Sequence, residues 1–229
     1  MGKYVGQSVI RIDGPERVTG KTIYAPDIQF SDMLYGAVAR SSHAHALLKE
    51  IRTEKARRSP GVRAVITGDM LPYMFGSMIA DQPFLAKDRV RYNGEPIALV
   101  IAESELEAQM AADAIEASYE DLPAVFDVFE ALKDDAPLVH EDQHAYRRDP
   151  ARYPALDHTN ICNETSYELG DVEKAFAQAD HVFEHCFFSH PTSHCAMEPF
   201  GSVARYDAVT GHFTLWTTTH APHPRLGEL

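Results

Sequence analysis

Apolar residues in this chain occur mostly in short runs or in alternation with polar residues, a pattern that predicts strands more often than helices. The strongest strand signal lies in residues 90–102, where VRY and the apolar run IALVIA flank Asn93-Gly94. This dipeptide readily adopts positive φ in tight turns. The pattern therefore predicts a β-hairpin over these residues.

The next periodic stretch changes from strand to helix spacing. Ser104 and Glu107 form a capping-box pattern, and Leu106 and Met110 then recur on one helical face. This predicts a helix that continues to about residue 118, followed by a strand in ASYEDLPAVFDV. Hairpin, helix and strand in this order fit a mixed domain that ends near residue 130.

Shorter elements precede this unit. MLYGAVAR, LLKEIR and VRAVIT predict strands, and Thr53 is a predicted cap for the short helix EKARRS. Residues 68–87 hold three Met, two Phe and a Tyr without a clean period, interrupted by Gly and Pro. This pattern predicts a long apolar loop that either lines a binding site or packs under the domain.

The second half of the chain begins with a polar, Pro-containing stretch at residues 131–165 that predicts a surface connection between domains. Asp171 is a predicted N-cap for the helix VEKAFAQAD. HVFEHCFFSH then predicts a strand, because it is dense in aromatic and β-branched residues. GSVARYD and HFTLWTTTH predict a second pair of strands around the turn AVTG.

Charge and cysteine usage limit the classes of partner. The formal net charge is −13 with 34 acidic and 21 basic residues, the wrong sign for a nucleic-acid phosphate backbone or an anionic membrane surface. Three cysteines form no disulfide framework, and no apolar run approaches the length of a membrane span. We therefore expect a cytoplasmic protein that binds neither nucleic acid nor membrane.

A histidine-rich stretch at residues 181–200 is the obvious candidate for a metal site. It contains His181, His185, His190 and His194 together with Cys186 and Cys195. On a strand, residues four apart lie about 13 Å apart, too far to bind one ion. The cysteines form no CxxC motif, so we expect packing or interface histidines, with a zinc enzyme as the weaker alternative. Glycine-rich phosphate-binding motifs are missing from the sequence.

Eight sequence blocks, in order and together spanning nearly all of the chain, resemble one family. They are RVTGKTIYAPDI, MLYGAVARSSHAHA, PGVRAVITGDM, VRYNGEPIALVIAE, AADAIEASYEDLPAV, GDVEKAFAQADHVFE, SHCAMEPFGSVARYD and LWTTTHAPHPR. The family is that of xanthine dehydrogenase and aldehyde oxidase, and the resemblance is to its molybdenum-cofactor-binding (large) subunit. No single motif in the chain is as specific as this series.

The resemblance implies an α+β fold. After an N-terminal arm at residues 1–15 it implies an α/β-hammerhead domain at residues 16–130. A linker at residues 131–165 would lead to the beginning of a first molybdopterin-binding domain at residues 166–229.

The resemblance also implies a reaction, the oxidative hydroxylation of an aldehyde or N-heterocycle with water as the source of oxygen. The cofactor would be molybdenum-molybdopterin, shared with further domains or a partner chain. Because the pterin dithiolene holds the metal in this family, we expect no side-chain metal ligand here. Electrons would leave through 2Fe-2S clusters and FAD on an iron-sulfur subunit and an FAD subunit.

Two departures from the family pattern bear on the site. His220 stands where the family has a Gln near the apical oxo ligand of molybdenum, and an imidazole can also donate a hydrogen bond there. The chain reaches Leu229 before the family's GGFGG cofactor segment and its catalytic glutamate. We therefore expect no catalytic residue in this chain, and a structural role for Glu198.

Within this resemblance, residues 71–85 of the apolar loop correspond to family sequence near the substrate funnel. Tyr73, Met74, Phe75 and Met78 are the candidate funnel residues. Two hypotheses follow. The first is an N-terminal fragment or split subunit of a molybdenum hydroxylase, inactive alone and dependent on a partner chain that carries the remaining molybdopterin-binding domains. The alternative is a non-catalytic scaffold or interaction module that retains the hammerhead fold.

Overall fold

A computed structural model describes residues 4–219 of the chain. The chain folds into two compact units. The larger unit comprises Met33–Phe183, and the smaller unit comprises Met1–Asp32 together with Glu184–Leu229.

Helices are few and short. They are α1 (Gly14–Val18), α2 (Glu54–Arg57), α3 (Glu105–Asp113), α4 (Val128–Ala131) and α5 (Val172–Gln178). None of the helices within residues 4–219 is long and apolar enough to span a membrane.

Strands form most of the regular structure. They are β1 (Tyr35–Arg40), β2 (Ala46–Arg52), β3 (Val62–Thr67), β4 (Met74–Phe75), β5 (Ile79–Ala80), β6 (Gln82–Pro83), β7 (Arg89–Val90), β8 (Pro96–Ala102), β9 (Glu116–Asp121), β10 (Arg147–Arg148), β11 (Ser202–Asp207) and β12 (His212–Thr217).

Two three-stranded antiparallel sheets form the centre of the larger unit. In the first, β8 lies between β1 and β3, with Val38 opposite Leu99 and Val65 opposite Val100. In the second, β2 lies between β7 and β9, with Ala46 opposite both Val90 and Asp121. The continuous apolar run of the sequence thus becomes a central strand, which explains why it does not alternate with polar residues.

Two apolar clusters stabilise these sheets. One joins residues of β2, β7 and β8, including Leu48, Val90 and Ile97. The other packs α3 against the first sheet through Ala111, Val65 and Val100. The small alanine side chains of α3 allow its backbone to approach the sheet closely. The predicted mixture of helix and sheet in one α+β domain is confirmed.

The predicted hairpin over residues 90–102 is wrong. β7 pairs with β2, whereas β8 pairs with β1 and β3, so the two strands belong to different sheets. The turn itself exists, because Gly94 has φ of 90° and the N–H of Glu95 donates to Tyr92 O at 3.2 Å. The N–H of Gly94 also donates to Ser41 O at 2.8 Å, a contact with the end of β1 that accompanies the change of sheet.

Other element boundaries differ from the sequence predictions. α3 ends at Asp113 and β9 already begins at Glu116, so the helix is shorter than predicted. β9 ends at Asp121, just before Leu122-Pro123, because proline cannot donate to a strand ladder. Thr53 makes no cap hydrogen bond, since its own backbone is helical with φ of −103° and ψ of −6°.

The predicted apolar loop at residues 68–87 contains regular structure. It begins with a 3-10 turn at Gly68–Met70, and β4 and β6 then pair with each other. β5 pairs with β10, so part of this loop is held by the polar stretch at residues 131–165. Pairs of two-residue strands are too short to produce a recognisable period in the sequence.

The smaller unit contains a β-hairpin formed by β11 and β12, as the sequence predicted, with Val203 opposite Trp216. Phe30 packs against the Trp216 ring at 5.7 Å between centroids, and the Arg205 guanidinium lies 5.1 Å from the Phe30 ring. The N-terminal stretch thus joins this hairpin through aromatic contacts.

The prediction of a strand in HVFEHCFFSH is wrong. Residues 181–190 have no regular secondary structure and are exposed. A strand needs a neighbour for its backbone groups, and no strand of residues 4–219 pairs with this stretch. The preceding helix α5 is as predicted, and its N-cap Asp171 accepts a hydrogen bond from the N–H of Lys174 at 2.9 Å.

Candidate functional site

Hydrogen bonds join the end of the β11–β12 hairpin to the MEP sequence at residues 197–199. The Thr218 hydroxyl donates to the Glu198 carboxylate at 3.3 Å and to Pro199 O at 3.2 Å. The N–H of Thr218 donates to Gly201 O at 3.1 Å. These bonds fix the MEP turn against the end of β12, in line with a structural role for Glu198. His220 lies outside the described residues.

The four predicted funnel residues lie together on one small β-structure in the larger unit. Met74 and Phe75 form β4, and the Phe75 ring stacks on Phe84 with 4.9 Å between centroids. Tyr73 is 67% exposed and Met78 is 58% exposed. The structure thus presents an apolar surface at residues 73–78.

A tight turn holds this surface in shape. Gly76 has φ of 152°, and a Cβ atom at this position would lie 1.8 Å from Ile79 O. Only glycine fits such a backbone position without displacing its neighbours.

The histidines of residues 181–194 do not converge. His181, His185, His190 and His194 are all exposed, and the first two have aromatic neighbours at Phe183 and Phe187. Among residues 4–219, no group of three His, Cys, Asp or Glu side chains is placed to hold a metal ion. The described part of the chain therefore offers no side-chain coordination sphere.

Three described arginines of the smaller unit, Arg11, Arg17 and Arg205, have side-chain partners within that unit. The guanidinium groups of Arg11 and Arg17 both bind the Asp13 carboxylate and hold its pKa far below the usual range. Arg205 lies over the Phe30 ring. These three guanidinium groups are therefore engaged by partners within the smaller unit.

A buried polar cluster in the larger unit was missed by sequence reasoning. Glu95 is 3% exposed, its carboxylate accepts the N–H of Arg91, and burial raises its pKa. His45 is also buried, and its Nδ1 lies 2.7 Å from Pro123 O. Because a carbonyl can only accept, Nδ1 carries the hydrogen. The signal in the sequence is the polar motif SSHAHA beside an apolar strand, but nothing in that motif points to Glu95.

A cavity of about 370 Å³ lies beside this cluster in the larger unit. Its apolar wall includes Val125, Val128 and Val139, and its polar wall includes His140 and Tyr146. His140 Nδ1 lies 2.8 Å from the Tyr146 hydroxyl. Burial lowers the pKa of His140 and raises that of Tyr146, so both groups tend toward their neutral forms. The pair can exchange hydrogen bonds with a small molecule but offers little charge.

Amide side chains hold the wall of this cavity together. Asn160 Nδ2 donates to Ala131 O at 3.2 Å and to Pro137 O at 3.0 Å, and its Oδ1 accepts from the N–H of Val139 at 2.9 Å. Gln143 is buried, and its Nε2 donates to the carbonyls of residues 159 and 161 at 2.9 and 3.0 Å. The stretch predicted as a surface connection is thus folded on itself by its amides.

Two family models match the chain in sequence order. The model described as the aldehyde oxidase and xanthine dehydrogenase a/b hammerhead domain matches residues 19–123. The model described as the molybdopterin cofactor-binding domain matches residues 155–225.

Individual relatives and solved structures agree with these matches. The chain is 36% identical over 234 residues to the nicotinate dehydrogenase large molybdopterin subunit of Eubacterium barkeri, covering 100% of this chain and 51% of that one. It resembles the solved Cu,Mo-CO dehydrogenase with a TM-score of 0.78 and 34% identity, covering 95% of this chain and 28% of that one.

A second solved structure is quinoline 2-oxidoreductase from Pseudomonas putida 86, with a TM-score of 0.74 and 32% identity. That match covers 93% of this chain and 27% of the other. The chain therefore spans about half the length of the first of these relatives and about a quarter of the two solved chains.

Proposed function

The chain belongs to the xanthine dehydrogenase and aldehyde oxidase family, as the N-terminal portion of its molybdenum-cofactor-binding subunit, and we propose that it works within a molybdenum hydroxylase. The observation that carries the proposal is the order of the two matched domains. A hammerhead domain is followed by the beginning of a cofactor-binding domain in one continuous chain.

The proposed reaction is the oxidative hydroxylation of an aldehyde or an N-heterocycle, with water as the source of oxygen. The names of two relatives, a nicotinate dehydrogenase and a quinoline oxidoreductase, support an N-heterocycle. The exposed apolar surface at residues 73–78 would line the entrance for such a substrate. Molybdenum-molybdopterin would supply the redox chemistry, and this chain would contribute no catalytic residue.

The proposed enzyme needs further polypeptide. The remaining molybdopterin-binding sequence would come from a partner chain, and an iron-sulfur subunit and an FAD subunit would receive the electrons. One relative supports further subunits, because it is named as a large molybdopterin subunit. In this proposal the 229-residue chain is inactive alone.

Co-purification tests the proposal. The chain is expressed with the products of its neighbouring genes, the complex is isolated, and molybdenum and pterin are measured. We expect stoichiometric molybdenum in the complex and none in the chain alone. A complex without molybdenum or pterin would instead favour the scaffold module, the second candidate, which the replacement of the family Gln by His220 supports.

The role of His220 can be tested in the same complex. If its imidazole donates a hydrogen bond toward the metal centre, His220→Gln retains turnover and His220→Ala lowers it by about 10- to 100-fold, the range for loss of one donor in a site. Molybdenum content measured in parallel separates loss of chemistry from loss of cofactor. Equal activity of His220→Ala and the unmodified chain would remove His220 from the site.

A further inference from the structure

A short β-ladder forms one wall of the cavity of about 370 Å³ in the larger unit. Strands β5 and β10 pair with Ile79 opposite Arg148. Because directly opposite side chains share a face of a ladder and faces alternate along each strand, Asp81 and Tyr146 belong to that same face. All four residues line the cavity. The ladder thus brings a carboxylate and a guanidinium group to one wall.

The two charged groups of this wall have no counter-ion in the described part of the chain. Among residues 4–219, the Asp81 carboxylate makes no ion pair and no hydrogen bond, and Arg148 makes no ion pair. The Arg148 Nη2 donates to Gln143 O and its Nε donates to Tyr146 O at 3.5 Å, but its Nη1 is buried without an acceptor in these residues. A buried charged group without a partner costs free energy, which a ligand of opposite charge offsets.

A buried amide adds a third unpaired group to this cavity. Gln143 is 8% exposed and lines the cavity, and its Nε2 is already bound to two backbone carbonyls. Its Oε1 is buried and has no donor among residues 4–219. An amide oxygen can only accept a hydrogen bond. The cavity therefore offers two unpaired acceptors, at Asp81 and Gln143, and one unpaired donor, at Arg148.

The rest of the lining limits the size and polarity of a ligand. Val125, Val128 and Val139 form an apolar wall. The Asp127 and Asn160 side chains also line the cavity, but both are engaged by backbone groups of residues 129–139. The volume lies at the lower end of the range of about 300–1,000 Å³ for small-molecule sites. The cavity thus favours a small ligand with an apolar body and a few polar atoms.

We propose that this cavity binds a free α-amino acid with an apolar side chain. The ligand carboxylate accepts from the Arg148 guanidinium, and the ligand ammonium group donates to the Asp81 carboxylate and to Gln143 Oε1. The ligand side chain lies against the three valines. A monocarboxylate would leave both acceptors unpaired and an amine would leave the guanidinium unpaired, so neither matches all three groups. The inference does not depend on the proposed function, because every residue it uses lies within the larger unit.

Isothermal titration calorimetry of the full chain with L-phenylalanine and two analogues tests this charge pattern. Hydrocinnamate lacks the ammonium group and phenethylamine lacks the carboxylate, while both keep the aromatic body. We expect saturable binding of L-phenylalanine and about 10-fold or more weaker binding of each analogue, because each analogue loses hydrogen bonds between charged groups. No binding of L-phenylalanine, or equally tight binding of either analogue, would overturn the inference.

Two substitutions assign the charges to their residues. Asp81→Asn breaks no side-chain hydrogen bond within residues 4–219, so the variant should fold. It should weaken binding of L-phenylalanine by about 10-fold or more and should not weaken binding of hydrocinnamate. Arg148→Gln should weaken binding of both ligands. Asp134→Asn and Arg147→Gln are the matched controls, because both residues are exposed and neither lines the cavity, so both affinities should stay unchanged.

Three further results would overturn the inference. Unchanged affinity of Asp81→Asn for L-phenylalanine would show that the ammonium group is not held at this carboxylate. Equal loss of affinity in a variant and its matched control would show an effect of net charge alone. Binding by the free chain that disappears in the complex with its neighbouring gene products would show that further polypeptide occupies the cavity. The proposed function stands in all three cases, because molybdenum and pterin content test it separately.

Discussion

The Ser104 hydroxyl accepts the backbone N–H of Glu107 at 3.3 Å and donates to the Glu107 carboxylate at 2.8 Å. This pair begins α3, whose alanine face packs against the first sheet. Ser104→Ala should therefore lower the free energy of unfolding by about 1 kcal/mol, the usual cost of losing an N-cap. Urea unfolding monitored by circular dichroism measures the change.

The control for this variant retains the cap. Ser104→Asp keeps an acceptor for the N–H of Glu107 and should cost less than Ser104→Ala, although it places two carboxylates near each other. Equal loss in both variants would show that the hydroxyl-to-carboxylate contact, and not the cap, stabilises the start of α3.

Glu95 should make stability depend on pH. Burial raises its pKa, against the lowering effect of the Arg91 N–H and charge. The folded state therefore holds the proton to higher pH than the unfolded state, and this contribution to stability is lost as pH rises through the folded pKa. Glu95→Gln has no ionisable group and so removes this loss of stability. As pH rises from about 4 to about 7, the free energy of unfolding of the variant should therefore increase relative to that of the unmodified chain.

Unfolding by urea at both pH values measures this difference. Glu105→Gln, at an exposed position of α3, is the control and should show no comparable change with pH. A difference between the Glu95→Gln variant and the unmodified chain that is the same at both pH values would contradict the role of the buried carboxyl.

His140 should make the folded state less stable as pH falls, the opposite of the effect of Glu95. Burial and the charge of Arg91 lower its pKa, while Asp81 opposes them. The unfolded chain then binds the proton at higher pH than the folded chain, so stability is lost as pH falls from about 6.5 through the folded pKa. His140→Gln should reduce the decrease in the free energy of unfolding between about pH 7 and pH 5. His212→Gln, at an exposed position, is the control and should show the same decrease as the unmodified chain.

Asn160 should control local order in the cavity wall. Asn160→Ala removes three hydrogen bonds to residues 131–139 and leaves the N–H of Val139 without its acceptor. We expect faster proteolysis within residues 131–145 and a loss of about 2–3 kcal/mol of local stability. Asn163→Ala is the comparison, because among residues 4–219 the Nδ2 of Asn163 donates to the nearby Thr165 hydroxyl at 3.2 Å and to no other group. Equal protease sensitivity of the two variants would contradict the role of the Asn160 hydrogen bonds in ordering the cavity wall.

Local patterns predicted several local elements of this chain, although the predicted Thr53 cap is not formed. The Ser104–Glu107 cap, the Asp171 cap and the hairpin of β11 and β12 all depend on residues close in sequence, and each is present in the structure. The run IALVIA was correctly assigned as a strand because length and composition suffice for that assignment.

Pairing partners could not be predicted in the same way. Asn93-Gly94 predicts a turn, but whether the flanking strands then pair depends on contacts with Ser41 and Ala46, about 50 residues earlier in the chain. The buried position of Glu95 has the same long-range origin. HVFEHCF has the composition of a strand but no partner among residues 4–219, so its propensity alone did not determine its structure. The candidate funnel residues came only from the family resemblance.

The apolar surface at residues 73–78 gives the last prediction, which concerns the complex in the proposed function. Tyr73→Ala and Met78→Ala remove side chains that are 67% and 58% exposed, so each should change the free energy of unfolding by about 0.5 kcal/mol or less. If these side chains line the substrate entrance, KM for an aromatic N-heterocycle should rise while kcat stays unchanged, because they contact the substrate away from the reacting atoms. Phe75→Ala is the contrasting variant: it loses the ring contact with Phe84 and should cost stability as well. Unchanged KM in both exposed variants would place the substrate entrance elsewhere.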